Sequence, residues 1–400
     1  MQTRLPGALA VTPAGQEADQ ILRRCVHCGF CNATCPTFRL TGNELEGPRG
    51  RIYLIKDVLE GEKPTRRTVG HLDGCLGCRA CETTCPSGVN YHRLADIGRE
   101  ALADRNLRPW WDRWRRKFAA RFFDGSRMLK ASVAVGRSVR WLLPSSLARQ
   151  LSRSGPAEWP VPKEETDHQV MLHEGCVQPI LAPTINAAAA RVLGRRGIGS
   201  RRAEGCCGAL AYHLDDIDRA KAQIRRNIDA WWPDLEQSKG MVVTASGCAA
   251  FLKDYGHICR DDPAYAERAR ELADRVSDVS EFVEPLPRQA GTGKLKFALH
   301  IPCTLKNALG GEVRLRKLLN DSGWEVVTTP DDGQCCGSAG AYSLLHRQTA
   351  GKLRDTRLEV LESGSPECIL TANIGCMSHL AGATAIPVRH WIEAWDEAEE

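Results

Sequence analysis

Two stretches, Cys25-Val-His-Cys28-Gly-Phe-Cys31-Asn-Ala-Thr-Cys35-Pro36 and Cys75-Leu-Gly-Cys78-Arg-Ala-Cys81-Glu-Thr-Thr-Cys85-Pro86, share one spacing of four cysteines and a proline. Three thiolates in x2 steps wrap a tight loop around three iron corners of a [4Fe–4S] cluster. In paired-cluster chains the last cysteine of each run ligates the other cluster. The spacing therefore predicts one cluster on Cys25, Cys28, Cys31 and Cys85, and a second on Cys75, Cys78, Cys81 and Cys35. A chain built this way carries electrons. Pro36 and Pro86 fix the backbone where it leaves each cluster and offer no N–H. Gly29 and Gly77 let backbone amides approach the sulfurs, where hydrogen bonds raise the reduction potential. Structural zinc also uses Cys-x2-Cys pairs, but with a long gap between them.

The bulk numbers suit this reading. A chain of 400 residues exceeds one ordinary core, so two or three domains are expected. A net charge of +5 does not call for nucleic acid, which favours a concentrated basic patch. Eighteen cysteines would suit a disulfide scaffold only in a short secreted chain. Residues 1–20 show no signal-peptide pattern, and no apolar run of spanning length occurs. The expected location is cytoplasmic, with thiols kept reduced.

Residues 1–15 read as a loose tail. Helical spacing is expected from Gln16 to Arg24, from Arg51 to Glu60 and from Tyr91 to Asn106. Cluster loops set among helices predict a helical two-cluster ferredoxin-type domain over 1–106. The stretch 107–141 interleaves Trp110, Trp111, Trp114, Phe118, Phe122, Phe123 and Trp141 with Arg113, Arg115, Arg116, Lys117, Arg121, Arg127 and Lys130. Such a stretch packs aromatics between domains, docks a partner or lies on a membrane surface. Residues 152–168 read as a linker, closing a connector over 107–168.

An internal repeat follows. His173-Glu-Gly-Cys176, Cys206-Cys207-Gly208 and Thr244-Ala-Ser-Gly-Cys248 recur as His300-Ile-Pro-Cys303, Cys335-Cys336-Gly337 and Thr371-Ala-Asn-Ile-Gly-Cys376, at offsets of 127, 129 and 128. Val170–His173, Val242–Thr244, Phe297–His300 and Ile369–Thr371 read as strands. Thr184–Arg195, Asp215–Trp231, Glu312–Asn320 and Tyr342–Glu362 read as helices. Alternating strands and helices imply parallel sheets with cysteines at strand C-terminal ends. The fold class is α+β multidomain: the two-cluster domain, then two tandem α/β Cys-Cys-Gly modules over 169–290 and 291–400.

Each module offers four thiols: Cys176, Cys206, Cys207 and Cys248, then Cys303, Cys335, Cys336 and Cys376. Their chemistry suits a further iron–sulfur cluster, zinc or a redox-active dithiol; the alternative is inert buried cysteine. Cys259 and Cys368 have no counterpart in the other copy and read as ordinary residues. His173 and His300 stand three residues before a cysteine, either as hydrogen-bond donors behind a cluster or substrate or as satisfied core histidines. No Gly-x-Gly-x2-Gly follows a strand, so no residue of this chain is expected to bind its own flavin or nicotinamide. No catalytic residue is assigned.

The segment Cys25-Val-His-Cys-Gly-Phe-Cys-Asn-Ala-Thr-Cys-Pro-Thr, with Gly47-Pro-Arg-Gly-Arg-Ile-Tyr-Leu-Ile-Lys56 and the two modules, resembles the iron–sulfur subunits of bacterial glycolate oxidases (glycolate dehydrogenases) over about 20–395. The modules alone also resemble those of anaerobic glycerol-3-phosphate dehydrogenase, lactate-utilisation proteins and heterodisulfide reductase. The fullest form of the module ends in Cys-x2-Cys and uses five cysteines for a noncubane cluster. Here Ala245 and Asn373 replace the penultimate one, leaving a four-ligand cluster, zinc or an empty site open. The resemblance implies an electron-transfer subunit of a 2-hydroxy-acid dehydrogenase complex. It would take electrons from FAD-containing partner subunits that oxidise glycolate to glyoxylate and pass them toward a quinone-type acceptor, with a peripheral place on the inner membrane face. The alternatives it implies are the corresponding subunit of a glycerol-3-phosphate or lactate dehydrogenase, or a heterodisulfide-reductase-like terminal reductase.

Overall fold

The computed structural model describes residues 1–103, 105, 107–144, 148, 151, 157–159, 169–286, 296–327, 329 and 334–400. They form two compact units: Met1–Arg116 with Gly333–Leu353, and Lys117–Asp332 with Arg354–Glu400. Apart from 157–159, the linker read at 152–168 lies outside the described residues.

The first unit is helical. Helix Pro13–Arg24 starts with proline at its first turn and with Thr12 Oγ1 accepting from the Gly15 amide. It buries Ala18, Ile21 and Leu22 at helical spacing. Helix Pro48–Leu59 contributes Ile52, Ile55, Val58 and Leu59, and helix Tyr91–Ala103 contributes Leu94, Ala95, Ile97 and Leu102 to one core. Each fully buried aliphatic side chain there is worth roughly 1.5–3 kcal/mol of transfer free energy. Gly98 lets two of these helices close: a Cβ on it would stand 2.7 Å from Ile55. Residues 1–15 are not loose. Met1, Leu5 and Leu9 pack on this core, and the Met1 ammonium donates to the Cys25 carbonyl at 2.6 Å. Apolar side chains three to four apart in a short segment found a surface to cover, which composition alone did not reveal.

The second unit holds two parallel sheets. Strands β1 (Gln169–Gly175), β2 (Gly199–Glu204), β3 (Met241–Val243) and β4 (Val276–Asp278) run in the order β2-β1-β3-β4. Strands β5 (Lys296–His300), β6 (Glu325–Val327), β7 (Cys368–Thr371) and β8 (Val388–His390) repeat it as β6-β5-β7-β8. All pairings are parallel. In each sheet the order reverses between the first and third strands, the switch point at whose carboxyl edge open sheets bind ligands.

The two sheets belong to one body. Helix Thr184–Arg195 buries nearly every residue from Ile185 to Leu193 and packs along helix Trp391–Glu399. Arg191 and Arg195 both reach Asp396, at 2.5 and 2.8 Å, and Arg196 reaches Glu399 at 2.5 Å. The helix expected over Tyr342–Glu362 is two, Tyr342–Leu345 and Arg347–Glu362. His346 leaves helical geometry between them, at φ −121° and ψ 51°.

The helix Trp110–Phe122 leaves its first four aromatics outside. Asp112, Arg116, Ala119 and Ala120 are its buried side chains, with Arg116 bonded to Asp112 at 3.0 Å and to Asp73 at 2.7 Å. Trp110, Trp111, Trp114 and Phe118 are 75%, 52%, 64% and 42% exposed, whereas Phe122 and Phe123 are half-buried and pack on Leu129, Val133 and Ile180, so only the end of the stretch turns its aromatics inward. Among the described residues no helix is long and apolar enough to cross a membrane.

Candidate metal centres

The first motif hangs between helices. Helix Pro13–Arg24 ends on Cys25, Cys31 sits in helix Phe30–Ala33, and Cys35 caps a helix that begins at Pro36. In the second, helix Arg66–Asp73 precedes Cys75, and Cys81 sits in helix Ala80–Thr83. The two loops share one backbone. Positive φ occurs at the second and fourth positions after the first cysteine in both: His27 (59°) and Gly29 (86°), then Gly77 (64°) and Arg79 (58°). Each loop thus has glycine at only one of its two left-handed positions and a strained side-chain residue at the other. At Gly77 the amide points to the Cys75 sulfur, 3.4 Å away.

The loops interlock. Thr34 Oγ1 donates to the Ala80 carbonyl at 3.1 Å. Cys25 lies within the field of Cys28 and Cys85, and Cys31 within that of Cys25, Cys28 and Cys85. Cys81 lies within that of Cys75, Cys78 and Cys35. The last cysteine of each run therefore stands among the first three of the other. Burial, then the neighbouring thiols, push Cys31 up to about 11 and raise Cys81 far above the ordinary thiol range. Thiolates crowded like this oppose one another until positive charge is placed among them, as the iron of a cluster does. A cavity lined by Cys25, Cys28, Gly29, Cys31 and Cys85 opens among the first set. Beside Cys75, the buried Tyr91 hydroxyl faces the thiol and has no nitrogen or oxygen partner. The donor sets fit the clusters that the spacing calls for.

Cys75 behaves differently. Burial raises its pKa, but Arg51, Arg99 and the Gly77 amide outweigh that and lower it overall. Arg51 is 1% exposed and carries hydrogen bonds to His71, Thr37 and Glu46. Neither arginine stands out in the sequence as a partner of the cysteines. Arg51 lies in the quoted Gly47-Pro-Arg-Gly-Arg segment, which is the one signal that could have found it.

In the second unit, the first quartet gathers at the switch point. Cys176 follows β1, Cys206 and Cys207 follow β2, and Cys248 lies in the helix Ser246–Lys253 after β3. The four thiols stand close enough to shift one another's acidity in the order Cys176, Cys206, Cys207, Cys248, with the His173 ring beside Cys248. The neighbouring Cys176 and Cys207 thiols hold Cys206 well below the usual thiol range, and Cys207, then the nearby His173 ring, bring Cys248 down to about 6. His173 is 1% exposed, and neither ring nitrogen has a nitrogen or oxygen partner. Four thiols and an imidazole converge here, and the soft donors suit a metal.

The surrounding groups hold that arrangement. Asn227 Nδ2 donates to the Cys206 carbonyl at 2.7 Å and the Tyr255 hydroxyl to the Cys207 carbonyl at 2.6 Å. Gly205 at φ +136° and Gly208 at +94° supply the bends on either side. Gln178 Nε2 donates to Asn186 Oδ1 and Thr244 Oγ1 at 2.6 and 2.7 Å, tying the ends of β1 and β3 together. Asn227 and Tyr255 lie on distant helices with no local mark of this role.

The second quartet is divided. Cys303 and Cys376 belong to the second unit, Cys335 and Cys336 to the first. The Gly337 amide points to Cys335 Sγ at 3.4 Å, and Asn373 Nδ2 to Cys376 Sγ at 3.7 Å. His300 accepts from Arg357 Nε at 3.2 Å through Nδ1, and burial, then that guanidinium, keep it neutral. The equivalent histidines differ in that His300 carries an arginine partner, yet each stands beside a thiol of its module, and a His300 ring nitrogen lies within 4.8 Å of Cys376 Sγ. Cys259 is buried, and burial raises it to about 11, in keeping with an ordinary core residue; Cys368 is buried in β7.

Comparison with known proteins matches these two regions. Residues 21–89 fit the model of the 4Fe-4S dicluster domain, and residues 170–253 and 297–381 fit that of the cysteine-rich domain. The glycolate oxidase iron–sulfur subunit of Escherichia coli (strain K12) is 47% identical over the whole of both chains. The probable glycolate oxidase iron–sulfur subunit of Bacillus subtilis (strain 168) is 30% identical over 89% of this chain and 87% of its own. Lactate utilization protein A of the same organism is 28% identical over 54% of this chain and 91% of its own.

Proposed function

The chain belongs to the family of glycolate oxidase iron–sulfur subunits, and on that premise we propose that it relays electrons from a flavin-bearing partner, which oxidises glycolate to glyoxylate, toward a quinone-type acceptor. The observation that carries this is the pair of interlocked thiol sets, Cys25, Cys28, Cys31 and Cys85 against Cys75, Cys78, Cys81 and Cys35. Clusters bound there pass one electron at a time, so a flavin that has taken two from substrate can give them up singly. The protein positions the two centres side by side and sets their potentials. The domain limits we propose follow the sequence reading: 1–106, 107–168, 169–290 and 291–400.

The Cys176, Cys206, Cys207 and Cys248 quartet is proposed to hold a further thiolate-bound centre, an iron–sulfur cluster or zinc. Co-purification tests the whole reading. The chain expressed with its flavoprotein partner should isolate as a complex in which glycolate bleaches the flavin and then produces cluster EPR signals. A complex that reduces its clusters with lactate or glycerol 3-phosphate and not with glycolate would reassign the substrate.

The acceptor's place is proposed to be a membrane surface reached through the helix Trp110–Phe122. At 100° per residue, Trp110, Trp111, Trp114, Phe118, Lys117 and Arg121 fall on its outward side, and its one acid, Asp112, is buried. Residues 107–144 hold ten arginines and lysines against two aspartates, although the whole chain is only +5. Aromatic and cationic side chains on one face suit an anionic bilayer interface. Each cation near such a surface is worth about 1 kcal/mol. The double variant Lys117→Glu and Arg121→Glu is therefore expected to weaken binding to phosphatidylglycerol vesicles by ~30-fold or more, read by co-sedimentation at low salt. Unchanged sedimentation would reassign the face to a protein partner.

A further inference from the structure

We propose that Arg51 sets the reduction potential of the second dicluster centre, that of Cys35, Cys75, Cys78 and Cys81; the inference rests on reading those cysteines as cluster ligands. The guanidinium is almost fully buried, at 1% exposure. Its Nη1 donates to Thr37 Oγ1 at 3.1 Å, and that hydroxyl stands 3.3 Å from the Cys35 sulfur. Its Nε donates to the His71 carbonyl at 2.7 Å, and its Nη2 lies 3.0 Å from where a Cβ on Gly74 would stand, one residue before Cys75. The cation is thereby wedged between the two stretches of chain that supply this centre's ligands. Glycine at 74 leaves the space it needs.

Among the described residues, the cations recorded beside the first centre are of another kind: the Met1 ammonium on the Cys25 carbonyl, and Arg49, which is 38% exposed and paired with Glu44 at 2.6 Å, so that water and a counter-ion screen it. Reduction adds one negative charge to a cluster. Burial opposes that by removing water, and a fixed, unscreened positive charge favours it. An arginine stays charged at any working pH, so the effect does not titrate away. Arg51 thus places a fixed positive charge on the buried Cys35 side of the second centre, whose Cys75 and Cys78 are half-buried. The neighbouring Glu46 carboxylate, 2.7 Å from Nη2 and also bonded to His71 Nδ1 at 2.6 Å, partly offsets it.

Charge and scaffolding roles separate by sign. In anaerobic potentiometric EPR titrations of the full chain, the signal lost in Cys28→Ser identifies the first centre. Arg51→Gln is expected to lower the midpoint of the second, cutting its reduced-to-oxidised ratio at the wild-type midpoint tenfold or more, which is about 59 mV for one electron. Glu46→Gln keeps the arginine and removes its counter-charge, so the same midpoint should rise. The first midpoint should stay in place in both. A purely structural Arg51 would shift the two variants in the same direction, or move both centres, and either result overturns the proposal. Should Arg51→Gln fail to assemble, an unmoved second midpoint in Glu46→Gln overturns it alone. Wild-type protein without inorganic sulfide would instead sink the ligand reading.

Discussion

Cys28→Ser removes one dicluster EPR signal and cuts electron delivery from substrate to an external acceptor by roughly a hundredfold or more, at least about 2.7 kcal/mol of barrier. Flavin bleaching by substrate in the partner survives. The reason is geometric. Cys28 is the exposed middle thiol of a loop whose other ligands, Cys25, Cys31 and Cys85, are held by helix ends and by the second loop. Its replacement leaves the surrounding core intact, since none of that core's buried side chains depends on it. The lesion is confined to the relay. Stopped-flow absorbance of the flavin together with low-temperature EPR of the complex makes the check. Loss of flavin bleaching in an assembled complex would contradict the division of labour between the subunits.

Cys248→Ala is expected to strip the metal from the first module while both dicluster signals remain. Cys248 ends the chain of sulfur contacts and is the thiol that His173 faces. Without it three thiols remain, and Cys207 loses a neighbouring thiol. Iron, zinc and sulfide analysis of anaerobic protein reads the result. The dicluster alone accounts for about eight irons. Wild type should exceed that, and the variant should fall toward it. Zinc in place of extra iron would identify the centre as mononuclear, and identical metal content in the two proteins would mean that the quartet binds nothing.

Much of this architecture is legible without the structure, for identifiable reasons. The cysteine runs encode cluster geometry locally. Strands β1, β3, β5 and β7 are apolar because they lie inside their sheets, and so they stand out. The polar edge strand β2, Gly-Ser-Arg-Arg-Ala-Glu, is paired on one side only and carries exposed Arg201 and Arg202, so no alternation marks it. Strands β4, β6 and β8 have three residues each, too few for any period to show. The residues that tune the sites are the least legible. Arg51 belongs to a recognisable segment, but arginine is ordinarily a surface residue. Its burial depends on Gly74, Glu46 and His71 meeting it from elsewhere in the chain. Asn227 and Tyr255 act through carbonyl groups of cysteines 21 and 48 positions away.

The repeated strand order carries a further meaning where the modules meet. Ser246 hydrogen-bonds the Ala372 carbonyl and the Thr304 hydroxyl, Gly247 faces Asn373, and His390 reaches the Thr244 carbonyl. Corresponding turns of the two copies thus face one another, as the halves of an isologous dimer do. The seam is built from the same turn of each copy, so a substitution in either turn bears on both modules at once.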